Sequence, residues 1–263
     1  MTDILQRIVA GNRPLLEERK RALSIASLER MASAAPVRAP FVEAFPAGAA
    51  VPRVIAELKA ASPSRGCIRE PLEVAVLAKE LEESGAAALS VLTEPLHFRG
   101  SLENLRLASG ACALPLLRKD FIFDAYQLLE ARAFGASAVL LIAAMLEPPA
   151  FRRLLEEAHA LGLQVLGEAH SPEELEVAAQ ADLLGVNARD LRTFHTSLES
   201  SARLLRLAAE RYPGKPLIAE SAVVTRQDME GLSAAGARGF LVGETLMRAP
   251  SPGRKLKELL QCC

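Results

Sequence analysis

Glu57 and Lys59 stand at the end of the apolar run Val54-Ile55-Ala56, with Leu58 between them. In a strand, residues i and i+2 leave the same face, so this carboxylate and this ammonium project together. Burying such a pair is costly unless each charge has a partner or a task. Ser62-Pro63-Ser64-Arg65-Gly66 then turns the chain into a loop. Alone, the stretch fits a surface salt bridge at a strand end as well as it fits the edge of an active site. Other apolar runs end in the same manner: at Arg118-Lys119-Asp120, at Glu168, at Asn187 followed by Arg189-Asp190, at Glu220-Ser221 and at Gly243-Glu244. Lys119, Glu168 and Glu57 are groups that give and take protons. Lys59 and Arg189 suit charge-assisted bonds to an anion. Backbone N–H groups at Ser221-Ala222 and Gly243-Glu244 suit a phosphate. The implied chemistry is acid–base catalysis on a small phosphorylated substrate. His97, His159, His170 and His195 are scattered, with His170 and His195 expected on the rim, and no cluster has metal-ligand spacing, so no metal is expected.

Something must hold those ends together. From residue 53 onward a short β-rich run alternates with a longer amphipathic run. Strands are expected at 53–59, 87–92, 115–119, 138–142, 164–168, 183–187, 216–220 and 239–242. Helices are expected near 71–84, 101–109, 124–134, 148–161, 171–180, 197–211, 225–235 and 251–261. Ser171-Pro172-Glu173-Glu174 reads as an N-cap with Pro at the first helical position. Gly85, Gly135, Gly162 and Gly236 fall where left-handed C-caps are needed. The fold class is therefore α/β, a (β/α)8 TIM barrel, in which active sites lie at the C-terminal strand ends. A doubly wound sheet would want a Gly-rich phosphate loop after its first strand, and none is present. Before residue 53 the pattern is helical, with Ile4, Leu5, Ile8 and Val9 in one stripe and Phe41, Val42 and Phe45 anchoring a short second element. The expected organisation is an N-terminal helical extension over 1–48, packed on a barrel over 49–263, as one structural domain.

The chain of 263 residues is half hydrophobic with net charge −1. That suffices for one large core, and it offers no basic surplus for nucleic acid. The longest apolar run, 136–146, is about half a membrane span. The N-terminus is interrupted by Asp3, Arg7 and Arg13, unlike a signal peptide. Cys67, Cys112, Cys262 and Cys263 have no zinc spacing, and no base lies near Cys67 in sequence. A soluble, reduced, cytoplasmic monomer is expected, with no nucleic-acid or membrane partner.

The segments I-A-E-L-K-A-A-S-P-S-R-G (55–66), L-S-V-L-T-E-P-L-H-F-R-G-S (89–101), L-L-R-K-D-F-I (116–122), V-L-G-E-A-H (165–170), G-V-N-A-R-D-L (185–191), I-A-E-S-A (218–222) and L-V-G-E-T-L-M-R (241–248) resemble the indole-3-glycerol-phosphate synthase family of tryptophan biosynthesis. They occur in family order across nearly all of the chain from residue 53. The resemblance implies a cofactor-free carboxy-lyase. It would close the ring of 1-(2-carboxyphenylamino)-1-deoxyribulose 5-phosphate, release CO2 and water, and yield indole-3-glycerol phosphate. It implies Lys119 as general acid, Glu168 as partner acid/base, Lys59 as substrate ligand and acid in dehydration, and Glu57 as the residue orienting the lysines. It places Asn187, Ser221 and Ser62 on substrate, Arg189 near phosphate or carboxylate, Phe98 and Phe121 along the aromatic ring, and Leu140 or Leu141 beneath it. Glu220, Ala222, Gly243 and Glu244 complete the binding set, with the loop 62–66 as a lid. Three departures stand out. Ala222 replaces a usual glycine, Ala60 a frequent basic residue, and Gly11-Asn12-Arg13-Pro14 a lysine-rich stretch. A phosphoribosylanthranilate-isomerase-like barrel would want cysteine at the first strand end, where Glu57 and Lys59 stand. A non-catalytic sugar-phosphate-binding relative would not need the intact lysines and glutamates.

Overall fold

The computed structural model describes residues 4–49, 52–187 and 197–261. Its strands are β1 (Arg53–Leu58), β2 (Ala61–Ser62), β3 (Gly66–Cys67), β4 (Ala88–Leu92), β5 (Leu116–Lys119), β6 (Ala138–Ile142), β7 (Gln164–Ala169), β8 (Leu183–Asn187), β9 (Leu217–Glu220) and β10 (Gly239–Val242). Eight of them close a parallel barrel in the order β1-β10-β9-β8-β7-β6-β5-β4. All eight fall within a residue or so of the runs expected from sequence. The helices are α1 (Ile4–Ala22), α2 (Ile25–Ala34), α3 (Val74–Glu83), α4 (Pro95–Phe98), α5 (Leu102–Ala111), α6 (Ala125–Ala133), α7 (Pro148–Ala160), α8 (Leu175–Ala178), α9 (Leu198–Arg211), α10 (Arg226–Ala234), α11 (Glu244–Met247) and α12 (Pro252–Leu260). Among the described residues no helix is long and apolar enough to cross a membrane.

The two faces of each strand build two cores. Val54, Ala56, Leu58, Val139 and Leu141 turn outward and pack against the helices. Ile55, Leu117, Leu140, Ile142, Leu166 and Ile218 turn inward and fill the barrel. Period-two alternation then sends Glu57 and Lys59 inward above Ile55. Register sets the heights: Leu92 pairs with Lys119, Ile142 with Glu168, and Asn187 with Glu220. A short 3-10 turn, Phe41–Ala44, contributes Phe41 and Phe45 to the same interior. Their rings lie 5.5 Å apart, beside Gly239 at the start of β10. This is the short second element expected before the barrel.

Most helix ends follow the sequence signals. Gly85, Gly135, Gly162 and Gly236 have positive φ after α3, α6, α7 and α10. Asp124 with Gln127, and Thr225 with Asp228, form capping boxes. The exception is the helix expected over 171–180. Residues 172–174 are turn, and only Leu175–Ala178 is helical, with no side-chain cap. The Glu174 carboxylate folds back to accept the His170 backbone N–H at 2.7 Å, so it does not serve a first helical turn.

The extension is fastened by polar contacts. The helix α1 runs through Gly11-Asn12 and Pro14 without a break. Asn12 donates to Glu94 at 2.9 Å, Arg19 pairs with Glu130 at 2.7 Å, and Lys20 pairs with Asp124 at 2.8 Å. Glu130 is shared with Arg118, which is only 1% exposed and also pairs with Asp120 at 2.8 Å. Arg118 is taken up by Glu130 and Asp120, so Lys119 is the cation of the Arg118-Lys119-Asp120 triplet that stands beside Glu168 and Glu220. Arg38 bonds to the carbonyls of Ser109, Cys112, Leu114 and Gly135, tying the end of the extension to the last turn of α5 and to the loops before β5 and β6.

Candidate active site

The strand ends meet around a cavity of about 760 Å³ at the C-terminal mouth of the barrel. Its centre is Lys119, whose Nζ lies 2.9 Å from Glu168 Oε2 and 3.3 Å from Glu220 Oε2. The line of contacts continues: Asn187 Nδ2 donates to Glu168 Oε1 at 3.1 Å, and Ser221 Oγ donates to Asn187 Oδ1 at 2.8 Å. Opposite, Lys59 Nζ donates to Glu57 Oε2 at 2.5 Å. The geometry expected from i,i+2 spacing is therefore present, but as a half-buried pair facing the cavity, not a solvated surface bridge.

Burial and charge set the protonation states. Burial alone would depress the Lys119 ammonium, but the acidic groups around it, Glu168 foremost, outweigh it and hold Lys119 well above its usual value. Burial would raise Glu168, yet Lys119 and His170 hold it well below the usual carboxylate range. Glu220 goes the other way. Burial and the anion of Glu168 push it up to about 8 despite Lys119. At neutral pH the centre thus holds an ammonium, a carboxylate and a neutral carboxylic acid. Two acids in different environments take different roles.

Two glycines make room for these side chains. A Cβ on Gly243 would overlap Glu57 Oε2 and come within 3.0 Å of Lys59 Nζ. A Cβ on Gly185 would overlap Glu220 Oε1. Gly243→Ala is therefore expected to lower kcat/KM at least about tenfold by displacing the Glu57–Lys59 pair, with the urea midpoint nearly unchanged, because the clash is with flexible side-chain ends. An unfolding transition lowered in proportion to activity would contradict this.

The walls are apolar. Phe98 and Phe121 face one another with centroids 6.0 Å apart, and Leu140, not Leu141, lines the space beneath. The strand alternation decides between the two leucines. Ser62, Ala222, Gly243 and Glu244 also line the cavity. Arg189 and His195 fall outside the described residues. His170 sits beside Glu168, and His159 is paired with Asp182 on the outside. Among the described residues no cluster of His, Cys, Asp or Glu could hold a metal.

Sequence reasoning missed several contributors. Ile4, Leu5 and Ile8 of α1 line the cavity, so the extension belongs to the site. The family resemblance implies an extension over the barrel mouth, and the residues of the stripe are the ones that reach the cavity. Arg65 and Arg248 both line the mouth and both pair with Glu244, at 3.2 and 2.9 Å. The loop 62–66 is the tip of a small antiparallel hairpin, β2 with β3. Glu94, fully buried, accepts the backbone N–H groups of Leu96, His97 and Phe98 and so shapes the turn carrying Phe98.

Ser221 and Ala222 both have positive φ, 66° and 64°. The conformation that favours glycine is thus present where alanine stands. A left-handed non-glycine residue costs about 1–2 kcal/mol, while glycine loses about 0.5–1 kcal/mol more backbone entropy on folding. Ala222→Gly is expected to raise stability by up to about 1 kcal/mol in urea unfolding; a lowered midpoint would show that the alanine is better accommodated than its φ implies.

With this geometry in place, the comparisons are direct. The family model described as Indole-3-glycerol phosphate synthase matches residues 5–259. A relative of that name from Koribacter versatilis is 47% identical over 99% of this chain and 100% of its own length. Another from Burkholderia ambifaria is 45% identical over 98% of this chain and 99% of its own. In fold, a mutant tryptophan synthase alpha-subunit from Pyrococcus furiosus superposes with a TM-score of 0.62 at 18% identity, covering 79% of this chain and 97% of that one. That likeness shows the TIM-barrel fold alone. On the family match and the full-length relatives, this chain belongs to the indole-3-glycerol phosphate synthase family.

Proposed function

We propose that this protein converts 1-(2-carboxyphenylamino)-1-deoxyribulose 5-phosphate to indole-3-glycerol phosphate, CO2 and water, through the residues gathered at the barrel mouth. The observation that carries the assignment of roles is the Lys119–Glu168 pair at 2.9 Å, set between an aromatic wall and a cationic rim. The anthranilate ring lies between Phe98, Phe121 and Leu140. Lys119 gives a proton to the ketone oxygen as the carboxylate-bearing ring carbon attacks the ketone carbon. The C–CO2 bond then breaks and its electron pair restores the aromatic ring. Lys59 protonates the departing hydroxyl, and Glu168 takes the proton whose loss completes the pyrrole. Glu57 orients Lys59, while Asn187 and Ser221 hold substrate and orient Glu168. Glu220, neutral at pH 7, supports Lys119 from 3.3 Å away. The phosphate sits at the backbone of Ser221-Ala222 and Gly243-Glu244, near Lys59. Arg65 and Arg248 offset the Glu244 carboxylate there. Ser62 and Arg189 complete the binding set.

The same reading takes residues 1–48 as an extension and 49–263 as the barrel, acting as one unit. Asn12–Glu94 and Arg19–Glu130 support that. We further infer a cytoplasmic monomer that needs no cofactor and binds no nucleic acid, in keeping with the net charge of −1. Substrate labelled with 13C in the ring carboxylate tests the reaction. One labelled CO2 should appear per indole formed. Consumption of substrate with the label retained in the product would overturn the assignment.

A further inference from the structure

His170 lies one residue beyond β7, with its side chain 11% exposed. Its Nε2 is 3.1 Å from Glu168 Oε1, and its Nδ1 is 3.5 Å from Glu174 Oε2. The two ring nitrogens thus face two carboxylates from opposite sides. Neither approach is an aligned hydrogen bond, so the contacts are ionic in character. A neutral imidazole has one bare lone pair, and here it would point at a carboxylate oxygen whichever tautomer formed. Only the imidazolium, with a proton on each nitrogen, satisfies both neighbours. Glu174 is fixed in turn by the His170 backbone N–H at 2.7 Å, which is why the chain at 172–174 is turn and not helix.

This places a second cation behind Glu168. One side of that carboxylate meets Lys119 through Oε2, and the other meets Asn187 and His170 through Oε1. Lys119 gives up its proton in the proposed ring closure, and its charge with it. We propose that His170 is a positioning residue for the reaction: wedged between Glu168 and Glu174, its imidazolium keeps Glu168 an anion turned toward Lys119 throughout the cycle. The proposal rests on the reading of Glu168 as the proton acceptor. The charged groups facing His170 among the described residues are Glu168 on β7 and Glu174 in the turn before α8. Those facing Glu168 are His170, Lys119 on β5 and Glu220 on β9. Burial alone would lower the imidazolium, but the two carboxylates outweigh it and push it up to about 10. The ring therefore stays charged across the neutral range.

The test is the pH dependence of kcat in wild type, His170→Gln and Glu174→Gln, with Glu168→Gln as control. Removing a cation beside a carboxylate raises that carboxylate's pKa. His170→Gln is therefore expected to move the acid limb of kcat to higher pH by about one unit, so that kcat falls by up to about tenfold on that limb and little at pH 7, with KM nearly unchanged. Glu174→Gln leaves the ring in place and still charged on the acid side, so its acid limb is expected to stay where it is in wild type. A further variant, His170→Lys, keeps a cation beside Glu168 and is expected to restore the wild-type acid limb, which separates the charge from any loss of stability in His170→Gln. An unmoved acid limb in His170→Gln would overturn the proposal, including where only the unfolding midpoint falls, and so would a His170→Lys limb displaced as far as that of His170→Gln. Failure of the underlying reading looks different. There Glu168→Gln itself keeps near-normal kcat, which removes the acceptor and the proposal together.

Discussion

Lys119→Met is expected to lower kcat by about 10²–10⁴-fold, the usual worth of a positioned general acid, while KM and the urea midpoint stay close to wild type. Methionine keeps the length and the apolar stem of lysine and removes only the ammonium. The buried acids around it do not then become bare charges. Glu220 is already pushed up to about 8 and stays protonated at neutral pH. Glu168 keeps Asn187 and His170 as partners. In the proposed mode of binding the aromatic ring and the phosphate meet other groups that line the cavity, chiefly Phe98, Phe121 and the backbone around Ala222 and Gly243. The loss should therefore appear in kcat, as expected for an interaction made in the transition state. Near-normal turnover by this variant would remove Lys119 from the mechanism.

Glu130→Leu is expected to destabilise the fold by about 3–5 kcal/mol, the largest stability effect on a group outside the cavity. Glu130 is 2% exposed and faces two guanidinium groups, Arg118 of the barrel wall at 3.1 Å and Arg19 of the extension at 2.7 Å. Its removal leaves Arg118 buried with Asp120 as its remaining carboxylate and releases Arg19. Urea unfolding measures the loss. Adding Arg118→Met should recover part of it, since a buried ion pair replaced on both sides by apolar groups is often neutral or better. A double variant less stable than Glu130→Leu alone would mean that the cluster stabilises as a whole and not by matching charge to charge.

How far the sequence revealed this structure depends on the range of the interaction. The barrel was legible because strand and helix periods are local, and because Gly85, Gly135 and Gly236 mark the same αβ turn repeatedly. The centre of the site was legible because strand ends in this fold share one face: Glu57, Lys59, Lys119, Glu168, Asn187 and Glu220 all line one cavity. Periodicity even carried the answer for Leu140 over Leu141, once the inward face of β6 was known. What stayed hidden were contacts between residues far apart in the chain. Asn12 with Glu94, and Arg19 with Glu130, follow no sequence period. Gly185 stands inside the expected strand 183–187 and Gly243 in the expected phosphate-binding backbone, and neither position shows in sequence that it leaves the volume Glu220 and Glu57 occupy. The hairpin of β2 and β3 is too short to show a strand pattern. The helix expected over 171–180 failed because Glu174, which looked like a first-turn acid, is drawn back to His170.

The most direct measurement is a continuous absorbance assay for indole formation by the purified full-length protein given 1-(2-carboxyphenylamino)-1-deoxyribulose 5-phosphate, with the Lys119→Met protein alongside. The expected result is steady growth of indole absorbance for the wild type, without added metal or cofactor, and almost none for the variant. A folded wild-type protein that forms no indole from this substrate would contradict the assigned reaction. Equal rates in the two proteins would contradict the chemistry placed on the lysine at its centre.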